Sequence, residues 1–169
     1  MNDNLLRIYL NDHLGGSVGA IEVLEYCIEK NPDGALGALL CHLLKEIQAD
    51  QKVLKDLLNR IEGTENPVKK GVAWVSEKIH RAKPSGEIFG YSDLTRLEEL
   101  EELTVGITGK QSLWQSLHIV GEADVRFHDV DFQALARRAQ QQRDELEPHR
   151  LDAARYAFVS RAEEIEGIP

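Results

Sequence analysis

The chain has 169 residues, 42% of them apolar and 29% charged, which is a globular composition long enough to bury a core without disulfide staples. Lys and Arg number 20 and Asp and Glu 29, so the net charge is −9, which argues against nucleic acid or an anionic membrane surface as partner. Met1-Asn2-Asp3-Asn4-Leu5-Leu6 has neither a basic n-region nor an apolar h-region, and no stretch approaches the roughly 20 apolar residues of a membrane span, so a cytoplasmic protein is expected.

Helical periodicity dominates, and a single all-α domain over residues 1–169 is expected. The first helix runs from about Asp3 to Lys30 on the stripe Leu6, Leu10, Leu14, Ile21, Leu24 and Ile28. Asn31-Pro32-Asp33-Gly34 stops it and restarts the chain. The second runs from about Asp33 to Glu62, with Leu36, Leu40, Leu43, Ile47, Leu54, Leu58 and Ile61 on one face and Gly63 as its stop. Asn66-Pro67 then reads as N-cap and first-turn proline of a short helix. It carries Val68, Val72, Val75 and Ile79 to about Ala82, and residues 83–92 read as a loop. The third long helix begins at Ser92-Asp93, carries Leu97, Leu100, Leu103 or Thr104, Ile107, Trp114 and Leu117, and ends near Gly121. Gly106 and Gly109 inside it suggest a bend or close packing, and close packing also accounts for Gly15, Gly16 and Gly19 of the first helix. The fourth starts near Asp131 on Phe132, Leu135, Ala139, Leu146, Ala153 and Ala157. Pro148 is expected to kink it rather than end it, because Leu151-Asp152-Ala153-Ala154-Arg155 resumes helical chemistry.

The connections set the topology. A link of about three residues makes helices one and two antiparallel neighbours, and about ten residues do the same for three and four. About 30 residues separate helices two and three, enough to return along a helix of about 42 Å. Helix three is then expected to start at the same end as helix two and run parallel to it. Two antiparallel pairs joined by one long crossover are the ferritin-like arrangement, against an up-down-up-down alternative.

That crossover, with Leu10-Asn11-Asp12-His13-Leu14-Gly15-Gly16, Glu46-Ile47-Gln48-Ala49-Asp50 and Gly109-Lys110-Gln111-Ser112-Leu113-Trp114, resembles a group of uncharacterised bacterial proteins with a ferritin-like four-helix bundle. The wider family implies a di-iron carboxylate site, with Glu on helices one and three and Glu-x-x-His on two and four. Here Glu46 is followed three residues on by Ala49, and Glu145 by Pro148, so both motifs are broken and no metal or other cofactor is expected. A looser metal reading uses the i, i+4 pairs His42 with Glu46 and Glu145 with His149. His42 points about 125° away from its helix's apolar stripe, and Glu46 and His149 sit at stripe edges, which favours solvated surface residues.

Polar residues also interrupt the apolar stripes. Asp50 falls between Ile47 and Leu54, Lys110 between Ile107 and Trp114, Arg143 and Arg150 within the fourth stripe, and His13 and Ser17 on or beside the first. Counting residues outward from each connection brings Asp50 level with about 14 and 109, and Lys110 level with about 140. A layer of His13, Asp50, Lys110, Arg143 and Arg150 is therefore expected at mid-bundle, in place of metal, with Asp50 as acceptor for Lys110 or Arg143. The competing arrangement lays the Lys and Arg stems on the core with their charges in water.

Other constellations carry less. Glu98-Glu99-Leu100-Glu101-Glu102 reads as a solvated face, favoured near a helix N-terminus. His118, Glu122, Asp124, His128, Asp129 and Asp131 cluster around the helix three–four connection, rich enough in oxygen and imidazole to hold a divalent ion at the surface. No serine has the glycine-flanked turn of a hydrolase, and no Gly-Lys-Ser/Thr follows the glycine run. Cys27 and Cys41 read as reduced structural thiols. The expected function is a non-enzymatic helical structural or interaction protein, forming a homo-oligomer in which Val68, Val72, Trp74 and Val75 offer a contact face. The alternative is a divergent metal or small-ligand protein using His13, Glu46, Asp50 and His149.

Overall fold

The computed structural model describes residues 1–62 and 91–159, and these are all-helical. The short helix expected over 68–82, with Trp74 and its apolar neighbours, lies outside the described residues. Four long helices account for the rest: α1 (Asp3–Lys30), α2 (Gly34–Glu62), α3 (Asp93–Ala123) and α4 (Phe132–Phe158). A 3-10 turn, Val125–Phe127, sits between α3 and α4.

Side-chain caps set the starts. The Asn2 carboxamide accepts from the Leu5 N–H at 3.1 Å, Ser92 Oγ from Thr95 at 3.1 Å, and Asp131 from Ala134 at 2.8 Å. Each stabilises its helix by about 1 kcal/mol. Gly34 opens α2 with φ +77°, a left-handed conformation that side chains resist. At Gly37 a Cβ would lie 2.3 Å from the Asn31 carbonyl oxygen, so only glycine lets α2 pass the turn there. Pro148 lies inside α4, which continues another ten residues past it, so the helix does not end at the proline.

Contacts at the two ends fix direction. At one end, Asn31 after α1 donates to Tyr91 before α3 at 2.8 Å, and Arg96 in the first turn of α3 donates back to Asn31 at 2.9 Å. At the other, Arg60 near the end of α2 holds Asp129, and Arg126 holds Asp3 at the start of α1. So α2 and α3 start together and run parallel, while α1–α2 and α3–α4 are antiparallel pairs. The most extensive packing is α3 on α4, then α1 on α2, with α1 on α3 and α2 on α4 closing the ring. The core is the predicted stripes meeting: Leu10, Leu24, Leu40, Leu43, Leu100 and Leu146 have almost no exposure. Trp114 stacks on Phe132 with ring centroids 6.3 Å apart. Among the described residues, no helix is long and apolar enough to cross a membrane.

Candidate functional site

Asp50 is one turn from Ile47 and one from Leu54, on the stripe that α2 turns inward, and is only 3% exposed. A carboxylate so deep must be paired, and its two oxygens go to two helices. Lys110 of α3 donates to Oδ2 at 2.6 Å, and Arg138 of α4 donates to Oδ1. The Lys110 ammonium also donates to Oε1 of Gln142 at 2.5 Å, and the Gln142 amide nitrogen donates to Glu46 at 2.8 Å. His42 lies 3.6 Å from the other oxygen of Glu46. One chain of polar groups thus crosses the molecule from the exposed face of α2 to Arg138. Burial pulls the Lys110 ammonium below the ordinary lysine range, and the Asp50 carboxylate opposes that pull. The layer is not saturated, because the Nε–H of Arg138 is buried without a partner.

Two of the five residues expected in this layer, Asp50 and Lys110, meet. His13 stands beside the layer and packs edge-on against Tyr9 at 4.7 Å, rather than bonding Asp50, and burial lowers its pKa. Arg143 donates to Gln140 at 3.0 Å near the surface. Arg150 pairs with Glu147 at 2.6 Å and Glu101 at 3.4 Å, away from Asp50. Their place is taken by Arg138 and by Gln142, which is 1% exposed on the α4 face of Ala139 and Leu146. Of the metal alternatives, His42 and Glu46 approach each other, with Glu46 tied to Gln142, while Glu145 is exposed and forms no pair with His149. No three His, Cys, Asp or Glu side chains gather in a metal-holding group among the described residues.

Glu98, Glu101 and Glu102 of the acidic run are exposed, as a solvated face requires, but Glu99 is not. Glu99 lies between Leu97 and Leu100 on the inward face of α3 and is 5% exposed. One of its oxygens accepts from the Cys27 thiol at 3.3 Å and from Tyr91 at 3.0 Å, and the other is buried without a partner. Burial raises the pKa of the carboxyl and of the Cys27 thiol, and pushes Tyr91 up to about 12. Cys41 is exposed, and both thiols are free.

The oxygen-rich connection is held by the chain's own cations. Arg126 grips Asp3 with both terminal nitrogens at 2.9 Å and also bonds Asp124. Arg60 forks onto Asp129 at 2.5 and 2.9 Å. Asp131 caps α4, and His118 is shared between Gln133 and Glu122.

A cavity of about 220 Å³ lies against the charged layer, walled by α1, α2 and α3. Asp12, Gly16 and Gly106 line it and are exposed, so its mouth opens between α1 and α3. Asp50, Leu113 and Trp114 form its buried depth, and the Trp114 indole N–H has no hydrogen-bond partner. A Cβ added at Gly16, Gly19, Gly106 or Gly109 meets nothing within 4 Å, so close helix packing does not explain these glycines. Each costs about 1 kcal/mol of helix propensity against alanine. No protein-family model, curated protein or solved structure matches the chain.

Proposed function

We propose that the chain is a non-enzymatic helical structural or interaction protein, a ferritin-like four-helix bundle whose own cations stand where that type of bundle carries metal. The observation that carries this reading is the Asp50 carboxylate, with one oxygen held by Lys110 and the other by Arg138. A divalent ion arriving here would displace an ammonium and a guanidinium and leave both short of counter-charge. The parallel course of α2 and α3 supports the bundle type. A cytoplasmic location accords with the free thiols Cys27 and Cys41. Self-association into a homo-oligomer is supported by the exposed apolar side chains Leu5 and Ile8 of α1 and Val105 and Ile119 of α3.

Elemental analysis of protein grown with added iron, manganese and zinc tests the reading. It expects far less than one ion per chain. Stoichiometric metal would instead favour a divergent metalloprotein using His13, Glu46, Asp50 and His149. Light scattering tests the oligomer, and a monomer across the accessible concentration range would remove that part.

A further inference from the structure

We propose that Glu99, Cys27, Tyr91 and Asn31 form a proton-operated latch across the seam between α1 and α3, shut while Glu99 is protonated and opening as it ionises. One carboxyl group joins three segments. Oε2 of Glu99 accepts from the Cys27 thiol of α1 at 3.3 Å and from the Tyr91 hydroxyl, ahead of α3, at 3.0 Å. That hydroxyl accepts in turn from the Asn31 side-chain amide at 2.8 Å, and the same amide donates to the Cys27 carbonyl at 2.8 Å. The Asn31 carboxamide oxygen accepts from Arg96 at 2.9 Å. The end of α1 is thereby tied to the start of α3.

Neutral donors hold this acid where its charge has no counterpart. Glu99 is 5% exposed, and its Oε1 is buried without a hydrogen bond. Among the described residues, the groups that face it are Cys27 and Lys30 of α1, Tyr91, and Arg96 and Glu102 on α3 itself. Both cations are engaged elsewhere, Lys30 with Glu29 at 2.9 Å and Arg96 with Asp93 at 2.9 Å. Glu102 adds a like charge. At this end of α4, Arg150 and Arg155 pair with Glu147, Glu101 and Asp152. The opening turns of α2, Gly34 to Leu40, carry no titratable side chain. An ionised Glu99 in the shut form is therefore a buried anion without an ion pair. Water relieves it, and water reaches Oε1 only when α1 and α3 part there. The inference goes beyond the metal-free reading and does not depend on its outcome.

The test is the rate at which N-ethylmaleimide labels the Cys27 thiol, only 1% exposed, in the full chain carrying Cys41→Ser. Rates are compared with and without Glu99→Gln across a series of pH values. The thiolate fraction raises both rates alike, so their ratio reads the latch alone. Opening releases one proton, so the ratio of the Glu99 form to the Gln form should climb by about tenfold per pH unit above the ordinary 4.5, then level off. Addition of about 1 M urea should leave labelling almost unchanged, because a local opening exposes little surface. Tyr91→Phe should speed labelling by about threefold to tenfold at every pH. A ratio that does not move with pH overturns the proposal. So does labelling that accelerates in urea as steeply as unfolding of the whole chain, and Tyr91→Phe without effect removes Tyr91 from the latch. Should Glu99→Gln fail to fold, the carboxyl ¹³C resonance of Glu99 decides: a midpoint above 4.5 is expected, and one at or below it overturns the proposal.

Discussion

The side-chain amide of Gln142 stands between Lys110 and Glu46, its oxygen facing the ammonium and its nitrogen facing the carboxylate. A neutral group so placed joins a cation of α3 to an anion of α2 from a third helix, α4. Replacing it with leucine leaves Lys110 and Glu46 each short of one partner. Gln142→Leu should lower the unfolding free energy by about 1–3 kcal/mol, measured by urea denaturation. A loss below a few tenths would mean that solvent reaches both groups.

Asp50 carries more, because two cations depend on it. Asp50→Asn keeps the shape and removes the charge, and should cost about 3–5 kcal/mol. Adding Lys110→Met should recover part of that loss, and the recovery in a double-mutant cycle is the direct measure of their coupling.

Asp50 and Lys110 were legible in the sequence because each interrupts an apolar stripe, and counting residues from the connections sets them at one height. Gln142 carried the same signal, falling between Ala139 and Leu146 on the α4 face, but an uncharged residue does not stand out against a core. Arg138 was hidden for a different reason. It lies off the stripe, and only its long side chain brings the guanidinium to Asp50. Glu99 was masked by its acidic neighbours, although Leu97 and Leu100 flank it on the inward face. Glycines that line open volume look the same in sequence as glycines that permit contact, and that difference appears only once the neighbouring helix is in place.

Glu99 gives stability a pH dependence of known sign. Burial raises its folded pKa above the ordinary 4.5, so the folded state holds the proton more tightly than the unfolded chain. Its contribution is full below 4.5 and is lost as pH rises through the folded value. The stability of Glu99→Gln relative to the native chain should therefore improve as pH rises across that window, in guanidinium melts at a series of pH values. A difference independent of pH would refute the buried acid.

Asp3 and Asp124 have the opposite sign. Hydrogen bonds from Arg126 hold both carboxyls below 3.8, so their contribution is present above that value and fades as pH falls through the folded pKa values. Arg126→Ala should raise both pKa values, read by NMR titration of the side-chain carboxyls. It should also speed amide exchange in the first turn of α1, which Arg126 ties to the α3–α4 connection.

Pro148 lacks the N–H that would bond the preceding turn, yet α4 runs through it. Pro148→Ala restores that bond and should stabilise the chain by about 1–3 kcal/mol in thermal melts. No gain would mean that the path α4 takes through the proline is itself required by packing.

The parallel course of α2 and α3 gives the Asp50–Lys110 bond a meaning for alignment. Leucines tolerate sliding, since one turn of travel, about 5.4 Å, brings another leucine into much the same hole. The ammonium has no such freedom: one turn away on α2 it would meet Ile47 or Leu54 instead of a carboxylate. The ionic contact thus acts as a vernier mark, admitting one setting of the helices and rejecting the adjacent ones. An Asp50→Leu, Lys110→Met, Arg138→Leu triple variant is predicted to lose that setting and show more than one set of amide resonances.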